Sequence, residues 1–301
     1  MAMNGRALAT RCGPIRFPAY IPVTTFGERY PLDKLIQPYL PRLAQAVMVS
    51  YHYAQKMDRR LGLPLMVDSG GFVSLFRGCK VKRSGRLGEV VVEREGRREI
   101  LSPAKVLDFQ EQVADVAFTL DFPIPPGTST REAKKRFNLT LNNAHWALEN
   151  RRRRDLPLYG VVQAWDPESA RACARVYGNS AFEGVAIGGL VPRARNRTIV
   201  LDIVEAVRQE IGDKPLHVFG LGQPDLVADL HRAGVDSVDS SAYVKLAAEG
   251  RVWRGAGAVL ADPTPLERLH LALCNLATAS GRALPLSTYP LAFRTVVLPR
   301  R

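Results

Sequence analysis

The chain has 301 residues, 46% of them apolar, which suits one large domain or two small ones and nearly matches the roughly 250 residues of a single α/β barrel. Lysine and arginine total 42 against 29 acids, a net charge of +13, and such an excess favours a polyanionic partner through counterion release. No apolar run approaches the roughly 20 residues of a membrane span, and the N-terminus carries Arg6, Arg11 and Arg16 without the apolar block of a secretory signal. Cys12, Cys79, Cys173 and Cys274 form no CxxC pair, which argues against a disulfide framework and a compact zinc site and makes a reducing cytoplasm the simplest setting.

In chain order, strand-sized apolar runs are predicted over 20–25, 46–51 and 65–68. A basic hairpin follows over 80–100: Lys80, Lys82 and Arg83, a Ser84-Gly85 turn with Arg86, Val90-Val91-Val92, then Arg97-Arg98. A helix over 102–115, capped by Ser102-Pro103, leads to a strand over 116–121, and a helix over 130–154 leads to a strand over 158–163. Helices over 167–177, 198–211 and 224–233 then alternate with strands over 184–188, 216–220 and 237–240. Continuous apolar strands alternating with helices indicate a parallel α/β protein, here a (β/α)8 TIM-type barrel over 1–260. A helix over 266–278 and an irregular tail over 282–301 make a C-terminal extension, 261–301.

Polar and glycine residues stand where these strands end: Asp68-Ser69-Gly70-Gly71, Asp121, Gln163, Gly188-Gly189, Gly220-Leu221-Gly222 and Asp239-Ser240. In a barrel those ends converge on one face, where active sites lie. Glycosyl transfer with retention needs one carboxylate to attack the anomeric carbon and another group to move a proton, and Asp239 and Asp68 offer the pair. Taken singly, an aspartate at a strand end is more often a cap or loop anchor, the reading that suits Asp236. The Gly70-Gly71 pair lets backbone approach a flat ligand, with Phe72 available to stack. Gln163 offers a donor and an acceptor for a base edge. Neither GxxxxGK[ST] nor GxGxxG occurs in these loops, so no phosphate-loop signature competes.

These residues resemble the tRNA-guanine transglycosylase superfamily, in order from about Leu65 to Ser240. Asp68-Ser69-Gly70-Gly71-Phe72 resembles its DSGGF/Y motif, Leu101-Ser102-Pro103 with Thr119-Leu120-Asp121 its LSPE…MAFDE region, and Tyr159-Gly160-Val161-Val162-Gln163 its FGIVQG strand. Gly184 to Leu190 resembles its A-x-GGLAVGE segment, His217 to Leu226 its H-Y-L-M-G-V-G-x-P-x-D-L run, and Val235 to Asp239 its nucleophile motif. The resemblance implies a barrel enzyme, a pentosyltransferase, with Asp239 as nucleophile and Asp68 as general acid/base. It implies Asp121 on the guanine edge, Gln163, Gly188 and Gly189 on the base, a Leu190 carbonyl at the pocket, and Phe72 stacked over the ring. Lys80, Lys82, Arg83 and Arg86 are the expected nucleic-acid grip.

Departures from the tRNA enzymes bear on substrate. Only His270 and Cys274 stand where those enzymes carry a C-x-C-x2-C…H zinc site, so no zinc or other cofactor is expected. Their Cys-Val-x-Pro-Thr-Arg segment is replaced by Ser240-Ser241-Ala242-Tyr243-Val244-Lys245, their Val-Gly-Glu by Val191-Pro192-Arg193, and the Gln of their GGF/Y-Q by Val73. This pattern resembles the branch that exchanges guanine in DNA for a free 7-deazaguanine base such as preQ0, with helper proteins to open the duplex. The alternatives are a tRNA-guanine transglycosylase without zinc, a catalytically inactive nucleic-acid-binding homologue, and an unrelated phosphate-binding barrel.

Overall fold

The computed structural model describes residues 6–282 apart from 28, 58–59, 95–96, 254–259 and 261. Its central sheet has eight strands: β1 (Ala19–Pro22), β2 (Val47–Ser50), β3 (Leu65–Asp68), β4 (Val116–Phe118), β5 (Leu158–Val162), β6 (Gly184–Ile187), β7 (Leu216–Val218) and β8 (Ser237–Ser240). Neighbours are parallel in the order β1-β8-β7-β6-β5-β4-β3-β2. A parallel bridge between Val23 and Met48, with the Thr24 amide donating to the Met48 carbonyl at 2.9 Å, brings the two edges together. The protein is thus a (β/α)8 barrel, as the alternation predicts. The main wall helices are α1 (Pro103–Val113), α2 (Thr130–Asn150), α3 (Pro167–Gly178), α4 (Arg197–Ile211), α5 (Pro224–Arg232) and α6 (Ala242–Ala248), and the helix predicted over 266–278 is α7 (Pro265–Ser280).

Side chains alternate across each strand. Ile21, Met48, Met66, Phe118, Val161 and Ala186 form one buried cluster, the barrel interior. Their neighbours Tyr20, Val47, Val67, Ala117, Val162 and Val185 belong to a second cluster shared with the helices. A short antiparallel pair, Ala7–Leu8 with Ile15–Arg16, adds Ile15 and Phe17 to the interior cluster, next to the amino ends of β1 and β8. Ser102 caps α1 through the Lys105 amide, and Asp166 and Ser169 form a reciprocal cap on α3. Helix α7 packs against α6 and β1, burying Leu269, Leu271, Leu273 and Leu276.

Several sequence expectations need correction. The predicted basic hairpin is a three-stranded antiparallel sheet, Cys79–Ser84, Leu87–Arg94 and Arg97–Leu101. The third strand was hidden by its charges: Arg97 and Arg98 read as a basic tail, whereas Leu101 lies opposite the buried Val90 and supplies the apolar contact. The helix predicted over 130–154 ends at Asn150, because Arg151 turns to extended backbone and the arginines after it anchor the connection to β5. Residues 283–301, predicted irregular, lie outside the described residues.

Candidate active site

The inward parity of the strands continues one step past the packed interior, and that step builds the site. Asp68 follows Met66 on the same face of β3, Gln163 follows Val161, Gly188 follows Ala186, and Asp239 follows Ser237. At the carboxyl ends of the strands they open into a cavity of about 460 Å³, lined among others by Asp68, Phe72, Asp121, Gln163, Gly188, Gly189 and Asp239. The Leu190 side chain packs in the core, so it does not line this space.

Asp239 is nearly buried, and its Oδ1 accepts from the Gly220 amide at 3.1 Å and pairs with His217 Nε2 at 3.0 Å. His217 is wholly buried, with Nδ1 2.8 Å from Ser237 Oγ. Against an ionised Asp239, Nε2 carries the proton and Nδ1 accepts from the serine. Both bonds hold Oδ1, which leaves Oδ2 as the oxygen for an electrophile.

Asp68 sits in a setting that favours its protonated form. Burial pushes its carboxyl up to about 7, the nearby Asp121 and Asp239 add to this, and the Gly70 and Ser69 amides offset only part. Around neutral pH it is poised between acid and base. Asp121 is also raised by burial, but is held by Ser69 Oγ at 2.7 Å on Oδ1 and by Gln163 Nε2 at 2.6 Å on Oδ2. These groups satisfy one another across the floor, presenting a donor–acceptor pattern to a planar ligand.

Glycine is required at position 71, where the floor meets backbone, and at position 188 it makes room for the Gln163 amide. A Cβ on Gly71 would stand 1.9 Å from the Asp121 carbonyl oxygen, and one on Gly188 would stand 2.1 Å from Gln163 Nε2. The 3-10 turn Gly71–Leu75 carries Phe72 to the rim, where it is 52% exposed and meets Phe76 edge-on at 5.4 Å.

Sequence reasoning missed three supports. His217 was legible only as part of a motif, but the parallel register that sets it opposite Ser237 makes it a neighbour of Asp239. Arg193 donates to the Gly189 carbonyl at 2.7 Å and the Ile124 carbonyl at 3.1 Å, tying two cavity loops together. Ser69, named only as part of a motif, holds Asp121.

The basic residues separate into groups. Lys80, Lys82, Arg83 and Arg86 do not line the cavity. The Arg86 carbonyl accepts from Asn142 and the Val81 carbonyl from Lys135, so this arm of the inserted sheet runs along the outside of α2. Arg29, Arg97 and Lys245 reach the cavities instead. Arg151, Arg152 and Arg153 bond Glu183, Glu111 and Asp155, anchoring the connection at the amino ends of the strands. The described residues supply no set of three metal-ligating side chains. Cys274 and His270 meet at 3.5 Å on one helix and do not fit a four-ligand zinc site.

Comparison with known proteins agrees with this geometry. A family model described as TGT: Queuine tRNA-ribosyltransferase matches residues 6–275. The chain is 28% identical to the tRNA-guanine(15) transglycosylase of Methanothermobacter thermautotrophicus over 81% of its length, covering 36% of that protein. It is 29% identical to the queuine tRNA-ribosyltransferase of Thermosipho africanus over 64% of its length, covering 54% of that protein. It is 28% identical to the queuine tRNA-ribosyltransferase of Cereibacter sphaeroides over 88% of its length, covering 78% of that protein. The chain therefore spans about a third of the archaeal relative and about half of the Thermosipho one.

Proposed function

Because the chain belongs to the queuine tRNA-ribosyltransferase family, we propose that it exchanges guanine in a nucleic acid for another base, as a pentosyltransferase working through an aspartyl-glycosyl intermediate. The observation that carries this is the pairing of Asp239, anchored through one oxygen, with Asp68, whose carboxyl is pushed up to about 7, in one cavity. Asp239 Oδ2 attacks C1′ as the C1′–N9 bond breaks, and protonated Asp68 gives its proton to the departing guanine. Asp68 then takes the N9 proton of the incoming base, N9 attacks C1′, and the carboxylate of Asp239 is released. Two inversions retain the β configuration. Asp121, Gln163, Gly188 and the Gly189 amide read the base edge, with the Leu190 carbonyl at their margin, while Phe72 stacks on the ring.

The finer reading is that the substrate is DNA and the incoming base a free 7-deazaguanine such as preQ0. It is supported by the replaced residues around Val191–Arg193 and Ser240–Lys245. The relatives above, whose names specify tRNA, favour the second reading, a tRNA substrate. A stacked guanine hides C1′, so the nucleotide must be extruded at a cost of a few kcal/mol, which helper proteins that open a duplex would reduce. Lys80, Lys82, Arg83 and Arg86 grip the backbone in this scheme, and no zinc is needed. Among the described residues no helix is long and apolar enough to cross a membrane, and the cytoplasm is the proposed setting. The test is labelled-base exchange on single-stranded DNA, duplex DNA and tRNA with chelator present. Exchange on DNA alone supports the finer reading. Exchange on tRNA alone replaces it with the second, and exchange on neither leaves the inactive nucleic-acid-binding homologue.

A further inference from the structure

A second cavity of about 410 Å³ adjoins the first and shares Asp68 and Phe72 with it. Its size is that of an ordinary small-ligand pocket. Between the turn Gly71–Leu75, the helical turn Tyr51–Ala54 and the inserted sheet it gathers aromatic faces and cations: Phe76, His52, Tyr53, Arg29 and Arg97. Phe72, 52% exposed, stands at the junction, and Phe76, 39% exposed, lies beside it in the second cavity with its ring perpendicular. Neither Arg29 nor Arg97 has a carboxylate partner within ion-pair distance among the described residues. Exposed aromatics interleaved with cations are what single-stranded nucleic acid stacks on. Glu99 on the same rim accepts only, which suits a base with an exocyclic amine.

We propose that this second cavity seats the unpaired nucleobase next to the extruded guanine, stacked on Phe76, with Arg29 and Arg97 facing the backbone phosphates. The proposal rests on the base-exchange reading, because it takes the strand to enter at the shared wall. Extruding one nucleotide unstacks its neighbour, and a stacking surface beside the reactive pocket recovers part of that loss without reading the target base. The site would add selectivity for the context of the target guanine.

The probe is a single-stranded oligodeoxynucleotide with one guanine and 2-aminopurine on its 5′ or its 3′ side. With the wild-type protein the fluorescence of one of the two is quenched on binding. Phe76→Ala is expected to lose that quench and weaken binding by about fivefold or more, Phe76→Tyr to keep both, and Arg97→Gln to weaken binding while keeping the quench. Equal quenching by wild type and Phe76→Ala overturns the proposal, as does absence of quenching in every protein. So does a Phe76→Ala variant that binds the strand normally but has a raised KM for the free base, since the cavity would then serve the free base. Labelled-base exchange on the same oligonucleotide reads the underlying activity separately. Quenching without exchange on this oligonucleotide or on tRNA overturns the base-exchange reading and leaves the stacking site standing.

Discussion

At the amino ends of the barrel strands, Asp115 meets Arg60 and Arg11, Asp236 meets Arg208 and Arg6, and Glu183 meets Arg151. Asp236 also accepts from the Leu216 amide at 2.8 Å, and Asp115 from the Leu65 amide at 2.9 Å. At the carboxyl ends, Asp68, Asp121 and Asp239 meet hydroxyls, amides and an imidazole, and no arginine or lysine forms an ion pair with them among the described residues. Burial raises Glu111 at the amino end, yet the Arg153 amide and the Arg152 side chain outweigh it and hold the carboxyl below its ordinary value. Burial raises Asp68 at the other end, and its neighbouring acids push the same way, up to about 7. Glu111, given a guanidinium, holds its charge and pins a loop. Asp68, given none, keeps a proton it can trade.

The sharpest way to break this comparison is to exchange one acid at each end. Asp239→Asn is expected to lower base exchange by about a thousandfold or more with little change in melting temperature. Asp236→Asn, three residues away in sequence, should cost about 1–3 kcal/mol of stability and leave the exchange rate of the folded protein nearly intact. Kinetics and thermal unfolding on both variants check this, and the reverse pattern would transfer the nucleophile to Asp236. Next in size, Asp121→Ala leaves Ser69 Oγ and Gln163 Nε2 without their shared partner. It should raise the KM for the free base by about tenfold or more, or relax base choice, with a smaller effect on the fold.

The third effect is linked to pH. Asp68 keeps its proton up to about pH 7 when folded, whereas in the unfolded chain it loses it near pH 4. Its contribution is therefore full below about pH 4 and is lost as pH rises through about 7. Asp68→Asn should stabilise the protein above pH 7 by about 1–2 kcal/mol, discounted because the carboxyl lines an open cavity, and the gain should vanish near pH 4. Melting curves across pH measure it, and a gain that grows towards acid would contradict the assignment.

The smallest effect separates the basic groups. Neutralising Lys80, Lys82, Arg83 and Arg86 should weaken nucleic-acid binding and flatten its salt dependence, by about 0.7–0.9 in log–log slope for each phosphate no longer neutralised. Neutralising Arg151–Arg154 should change stability instead. If the second set moves the salt slope more, the binding face lies at the other end of the barrel.

Much of this was legible in the sequence. Eight apolar runs gave eight strands, because strands buried on both faces leave a continuous apolar trace that needs no partner to be seen. Asp68, Gln163, Gly188 and Asp239 were legible because they stand where the apolar runs end, and the structure shows strand parity aiming them inward past the packed layer. What stayed hidden depended on register or on side-chain reach. His217 reads as one more residue of an apolar strand until β7 is set beside β8. Arg193 reads as a surface cation until its guanidinium is seen on two loop carbonyls. The third strand of the inserted sheet carries too much charge to look like a strand, and α6, seven residues long, is too short to show a period.

The most direct test of the account is whether a covalent bond forms before the incoming base arrives. The protein is incubated with a guanine-containing single-stranded oligodeoxynucleotide and no free base, quenched in acidic denaturant, and analysed by intact mass and peptide mapping. The account predicts release of guanine and an adduct carrying the strand on Asp239, absent in Asp239→Asn, with ping-pong kinetics once base is supplied. Base exchange with a strictly sequential mechanism and no adduct would contradict it.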